Sequence, residues 1–207
     1  MKDLVCVAAD RSIEATMQAV LDRPESLGIR RMALETLVHP ERDPGCFHEP
    51  GKLLEGNVGR FRHALVVLDH AWDGVPAKAA PELEAMLERR LATIGPPGWA
   101  RAVVIDPELE AWVFSDSHHV AAVLGWNGST DDLRSALEAE RLWVSGRAKP
   151  ADPKRAMDWA LRRARIPRSS ALFRKLASLV SFRRCHDRSF LRLREILREW
   201  FAVQPLE

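Results

Sequence analysis

Several features that would point to a particular class of protein are missing from this chain of 207 residues. It has no tyrosine, so no mechanism that forms a covalent bond to a tyrosine side chain is open to it. No apolar run approaches the roughly 20 residues that a membrane-spanning helix needs. The short apolar run in MKDLVCVAAD lies between two acids, which is not typical of a signal peptide. We therefore expect a protein that does not insert into a membrane.

The chain is also poor in cysteine. Its three cysteines, Cys6, Cys46 and Cys185, are widely separated and include no Cys-x-x-Cys pair. Scattered thiols of this kind are typical of a reducing compartment, and they exclude a zinc ribbon. We expect a cytoplasmic location.

The overall composition is ordinary for a globular protein, but the charge is unevenly distributed. Hydrophobic residues make up 46% of the chain and charged residues 29%, with a net charge of +2. Residues 1–139 hold 14 Lys and Arg against 22 Asp and Glu, whereas residues 140–207 hold 17 against 7. An acidic half suited to metal ions and a basic half suited to phosphates are thus one interpretation. The other interpretation is that the basic residues of the second half lie on the solvent-exposed faces of ordinary helices.

Apolar segments and helical patterns alternate in the first half of the chain. Strands are predicted at 4–10, 30–39, 63–69 and 99–107. Helices are predicted at 12–23, around 52–63 and at 82–95, and a polar loop at 40–51. Strands that alternate with helices of this length predict βαβ units. We expect an α/β fold, a three-layer sandwich with a mostly parallel four-stranded sheet.

The rest of the chain has helical patterns and no strand pattern. Asp106 and Pro107 have the residue types of a helix N-cap and first position, which predicts one helix over 108–126. Four further helices are predicted at 131–144, 153–166, 169–184 and 188–201. The expected organisation is an α/β core over residues 1–130 and a basic helical extension over residues 131–207, packed on that core.

Acidic residues follow the predicted strands. Asp10 ends the first strand, Asp69 ends the third with Asp73 just beyond it, and Glu110 lies in the first turn of the helix after the fourth. Because parallel strands end at a common edge, these four acids are expected to converge there. Their repulsion would be relieved by Mg²⁺ or Mn²⁺, which prefer oxygen ligands and can assist phosphodiester cleavage. Taken singly, each acid is also a common turn or cap residue.

A second acidic group lies in the polar loop. His39, Glu41, Asp43 and His48 stand close in sequence and have metal-ligand side chains. Such a loop is more often simply polar, and no metal site is assigned to it.

The basic half offers candidate contacts to nucleic acid. They are Lys149, Lys154, Arg155, Arg183 and Arg184. Lysine and arginine bind phosphates without reading the base sequence. Several of them are also expected to be ordinary surface charges.

Together the acidic motifs resemble the TOPRIM fold. The order of a strand-end acid, then VVLDHAWDG with Asp69 and Asp73, then ELEAW with Glu110, is similar to a TOPRIM-like family of small bacterial proteins. That family is related to the nuclease domain of OLD-family nucleases. Its first strand usually ends in Glu-Gly, where this chain has Asp10 and Arg11.

The resemblance implies a metal-dependent nuclease or a related phosphodiester-processing enzyme, with Asp10, Asp69, Asp73 and Glu110 as its catalytic and metal-binding acids. It also implies a part in bacterial antiviral defence, with nucleic acid and other defence proteins as partners. A TOPRIM topoisomerase needs a catalytic tyrosine, and a bacterial primase brings a zinc module, so both are excluded. The alternative is a non-catalytic nucleic-acid-binding or regulatory subunit of a defence complex.

An ATPase activity of this chain is excluded by its glycine pattern. GCFHEPGKL has five residues between the glycines and lacks the Ser or Thr that a phosphate loop needs. If ATP takes part, a partner protein supplies the ATPase. A homo-oligomer is compatible with the sequence.

Overall fold

The computed structural model describes residues 1–114, 117–183 and 185–203, and its centre is a four-stranded parallel β-sheet. The strands are β1 (Lys2–Ala8), β2 (Leu34–Val38), β3 (Phe61–Asp69) and β4 (Ala100–Ile105). They lie in the order β2-β1-β3-β4, and each neighbouring pair is parallel. The predicted α/β architecture is confirmed, and the sheet is wholly parallel.

Helices account for most of the remaining chain. In chain order they are α1 (Arg11–Leu21), α2 (Pro24–Leu27), α3 (Arg42–His48), α4 (Gly51–Leu54), α5 (Ala80–Leu91), α6 (Glu110–Val113), α7 (His118–Val123), α8 (Thr130–Ala139), α9 (Pro153–Ala164), α10 (Ser170–Leu179) and α11 (Arg188–Phe201). The two central strands are enclosed on both faces, since residues 4–8 and 64–68 are fully buried. This explains why β1 and β3 are continuous apolar runs rather than alternating ones.

The C-terminal helices pack on the sheet and its helices. α10 packs against α1, and α11 packs against β4. Glu84 of α5 is 3% exposed, forms ion pairs with Arg188 at 2.6 Å and Arg192 at 3.3 Å, and accepts a hydrogen bond from the backbone N–H of Val104. Elements from both halves therefore share one buried ionic group. The division of the chain at residue 130 stays a prediction.

The single helix predicted over 108–126 is wrong. α6 ends at Val113, because Phe114 leaves the helical conformation with φ −85° and ψ 87°. Ser117 then provides a new N-cap, and α7 follows. Asp106 is not a helix cap either, because α6 begins only at Glu110 and its N-cap residue is Leu109.

The polar loop predicted at 40–51 is also wrong, because it contains α3. Pro44 lies in the first turn of that helix, where a missing N–H is tolerated. Gly45 is required by close packing, since a Cβ there would lie 2.1 Å from His39 Nδ1. The helix predicted around 52–63 is limited to α4 and a short 3₁₀ turn, Glu55–Asn57, before β3 begins at Phe61.

All three cysteines are free thiols, and Cys6 and Cys46 are buried. Across the described part of the chain, no helix is both long and apolar enough to cross a membrane.

Candidate functional site

Asp69 ends β3 at the carboxyl edge of the sheet. The residue is half-buried, but its Oδ1 atom is fully enclosed and has no hydrogen-bond partner. Burial raises the pKa of Asp69 well above its ordinary value, and the neighbouring carboxylates of Asp43, Glu110, Asp10 and Glu108 raise it further. Among the described residues, these five acids form what we call the carboxylate cluster.

Asp43 is the member of the cluster with the strongest electrostatic effect on Asp69. Its Oδ1 accepts a hydrogen bond of 2.8 Å from the backbone N–H of Asp69. Burial and the charge of Asp10 raise the pKa of Asp43, while that hydrogen bond opposes the rise. This hydrogen bond joins the first turn of α3 to the end of β3, and Gly45 of the same helix packs closely on His39.

Asp10 follows β1 and serves as the N-cap of α1. Its Oδ1 accepts hydrogen bonds from the backbone N–H groups of Ser12 at 2.7 Å and Ile13 at 2.8 Å. Such a cap stabilises a helix by about 1 kcal/mol. One oxygen of Asp10 therefore has a structural partner, and Oδ2 stays outside these hydrogen bonds.

Glu110 is the most deeply buried acid of the cluster, with 1% of its surface exposed. Burial raises the pKa of Glu110, and an ion pair with the guanidinium of Arg168 opposes that rise. The same guanidinium also pairs with Asp158 at 3.1 Å. Glu108 is bound in turn by the ammonium group of Lys154. Arg168 and Lys154, both from the basic half of the chain, thus neutralise two acids of the carboxylate cluster.

Asp73 lies apart from the acids just described. It is exposed in the turn after β3, and it is not among the four carboxylates that most raise the pKa of Asp69. The structure therefore brings three of the four predicted acids together, namely Asp10, Asp69 and Glu110, and leaves Asp73 at the surface.

The basic residues predicted to bind nucleic acid divide into two kinds. Lys154 binds Glu108, and Lys149 donates to the backbone carbonyl of Ala111, so both are engaged within the protein. Arg155 and Arg183 have exposed side chains. Arg184 lies outside the described residues.

The loop acids and histidines separate in space. Asp43 joins the carboxylate cluster, whereas Glu41 pairs with Lys52 at 2.7 Å. The buried His39 accepts a hydrogen bond from the backbone N–H of Glu41, and His48 packs among Phe47 and neighbouring aromatic rings. They are therefore not one metal site.

The cluster fits a divalent ion in its chemistry. It supplies hard carboxylate oxygens, one of which is buried without a partner, and Mg²⁺ often binds only one or two protein carboxylates. Within residues 1–114, 117–183 and 185–203, however, no group of three or more His, Cys, Asp or Glu side chains is arranged as metal ligands.

The sequence does not predict three participants of this cluster. It places Asp43 in a polar loop together with other metal-ligand side chains, and it does not mark Glu108 or Arg168 as site residues. For Asp43, the signal was its place in a Glu-Arg-Asp-Pro-Gly stretch, which suits the first turn of a helix. Arg168 has no local signal, because it meets Glu110 from 58 positions away.

Comparisons with protein-family models, curated proteins and solved structures give no match.

Proposed function

We propose that this protein is a metal-dependent nuclease or a related phosphodiester-processing enzyme. The proposal is carried by the enclosed Oδ1 of Asp69, which has no hydrogen-bond partner and belongs to a carboxyl group whose pKa is raised by the charges of four other acids. Acids gathered in this way destabilise the fold unless protons or cations compensate their charge. A bound Mg²⁺ or Mn²⁺ would supply that compensation.

The residues of the cluster would then have distinct roles. Asp69 would hold the ion together with Asp43 or with the remaining oxygen of Asp10, and Glu110 would join them on release from Arg168. A bound ion of this kind activates water and stabilises the leaving oxygen in phosphodiester cleavage. Because the raised pKa favours protonated Asp69, ion binding would release a proton and strengthen as the pH rises.

The basic residues would bind the substrate. Arg155 and Arg183 are exposed and available for phosphate contacts, and Lys154 and Arg168 lie beside the acids where a scissile phosphate would approach. Asp73 remains in the proposal through the resemblance to TOPRIM proteins alone. The same resemblance supports a part in bacterial defence that acts on nucleic acid, with an ATPase or another defence protein in trans. The scattered cysteines support a cytoplasmic location, and a homo-oligomer is a compatible state.

A cleavage assay with Mn²⁺ tests the proposal. Plasmid DNA and a single-stranded RNA are incubated with the wild-type protein, with Asp69→Asn and with Asp131→Asn, an exposed acid on α8 that serves as the matched control. Asp69→Asn should lower the rate by about 100-fold or more, because metal-assisted stabilisation is worth several kcal/mol. Asp131→Asn should cleave like wild type. Equal cleavage by the wild type and Asp69→Asn would refute the metal-dependent mechanism.

A second candidate function is a non-catalytic nucleic-acid-binding or regulatory subunit. It is favoured by the internal partners of the acids, since Arg168 pairs with Glu110, Lys154 pairs with Glu108 and Asp10 caps α1. Ions that bind only the folded state stabilise it by about 2.7 kcal/mol at 100 times their Kd. Nucleic-acid binding weakened by Arg155→Gln, without thermal stabilisation by Mn²⁺, would establish this second function.

A further inference from the structure

A cavity of about 1080 Å³ has none of the five acids of the carboxylate cluster among its described lining residues. Its described walls come from Trp112, the start of α7, the segment 144–151 and residues that follow α10. Ligand sites in proteins are cavities of about 300–1,000 Å³ with apolar walls and a few placed polar groups. The size of this cavity therefore suits an organic ligand rather than a single ion.

The described walls carry more basic than acidic side chains. The cavity is lined by Arg147 and Lys149, by three histidines and by a single described acid, Asp187. Asp187 already has structural partners, because its carboxylate caps α11 and accepts from the indole N–H of Trp112. Within the described residues, no acid forms an ion pair with Arg147 or Lys149. The ammonium group of Lys149 donates one hydrogen bond to the carbonyl of Ala111, which leaves its charge without an acidic partner. A cleft lined by uncompensated cations attracts anions.

Apolar and aromatic surfaces lie beside these cations. Val144 and Leu179 also line the cavity, and they are 58% and 38% exposed, which is unusual for large hydrophobic residues in this protein. At the start of α7, the ring centroids of His118 and His119 lie 3.8 Å apart. The cavity thus combines basic side chains that can bind an anion with aromatic and apolar side chains that can contact an uncharged part of the same ligand.

We propose that this cavity binds a nucleotide unit, with its phosphate at Arg147 and Lys149 and its base against the histidine rings and the apolar rim. Two ligands share this chemistry, a free mononucleotide and the terminal nucleotide of a strand. The proposal does not rest on the proposed metal site, so binding is measured in EDTA. Failure here would leave the metal-dependent cleavage assay unaffected.

Calorimetric titrations of the full chain test the proposal with four probes: AMP, adenosine, inorganic phosphate and a 5′-phosphorylated dinucleotide. AMP or the dinucleotide should bind with a Kd below about 1 mM, and more tightly than adenosine or phosphate. Binding of AMP identifies a free nucleotide, and binding of the dinucleotide alone identifies a strand end.

Two variants locate the binding. Arg147→Gln should weaken it about tenfold or more, as expected when a charged hydrogen bond to phosphate is lost. Arg31→Gln, the control, removes the same charge from an exposed residue before β2 and should leave the Kd unchanged. Ala148→Trp fills the cavity from an exposed position of its wall and should abolish binding while the melting temperature stays near that of wild type.

Four results would overturn the nucleotide site. They are no binding of either AMP or the dinucleotide, binding of adenosine as tight as that of the tighter of these two probes, binding of inorganic phosphate as tight as that of the same probe, and equal weakening by Arg147→Gln and Arg31→Gln.

Discussion

Replacing Asp69 by asparagine should stabilise the metal-free protein at pH 8. Burial and the neighbouring carboxylates raise the pKa of Asp69 well above its ordinary value of 3.8. When the pKa of a carboxyl group is higher in the folded than in the unfolded protein, protonation of that group favours the folded state. Its contribution to the free energy of unfolding is complete at a pH below the pKa of the unfolded state. It is lost as the pH rises through the pKa of the folded state. Asparagine has nearly the same shape and no charge, so it avoids this loss.

The size of the effect follows from the charge of Asp69, because asparagine leaves the same enclosed position without a partner and removes only the charge. An uncompensated charge costs several kcal/mol in a dry interior and less where solvent reaches the group. Because Asp69 is half-buried as a residue, we expect an effect of about 1–2 kcal/mol. For a chain of this length, that gain raises the melting temperature by roughly 2–8 °C.

The assay is thermal and urea denaturation in EDTA from pH 4.5 to 8. The stability difference between Asp69→Asn and wild type should widen as the pH rises toward the folded-state pKa. Asp73→Asn is the matched control, because the residue is exposed, and its effect should stay within about 0.5 kcal/mol. A variant less stable than wild type at pH 8, or a difference that does not change with pH, would show that Asp69 is not held among repelling charges.

Arg168→Met should lower the free energy of unfolding by about 1–3 kcal/mol in urea denaturation, because it leaves the buried Glu110 without its counter-ion. Adding Glu110→Gln to that variant should restore most of the loss, and no restoration would mean that Arg168 acts elsewhere. Gly45→Ala should lower the free energy of unfolding by about 1–3 kcal/mol, because its Cβ would collide with the buried imidazole of His39. Gly56→Ala is the control and should be tolerated, since no atom lies within 4 Å of its Cβ. Equal melting temperatures of the two variants would contradict this packing. Burial raises the pKa of Cys6 to about 12, so mass spectrometry should find this thiol unmodified by iodoacetamide at pH 8 until the protein unfolds.

The sequence determined the parallel sheet because its signals are local. The continuous apolar runs of β1 and β3 require cover on both faces, and helical patterns between the strands supply it. The last helix, predicted at 188–201, is observed as Arg188–Phe201, because its apolar positions recur with the period of a buried helix face. Asp10, Asp69 and Glu110 were placed near one another because parallel strands end at one edge.

Only the tertiary structure decided which charges meet at that edge. Asp43 enters through a helix whose Pro-Gly pair looks like a loop in the sequence, and Asp73 is left outside although it stands four residues from Asp69. Arg168 meets Glu110 across 58 positions of the chain. No local pattern encodes such a pair, since its two partners are brought together only by the packing of the helical half on the sheet.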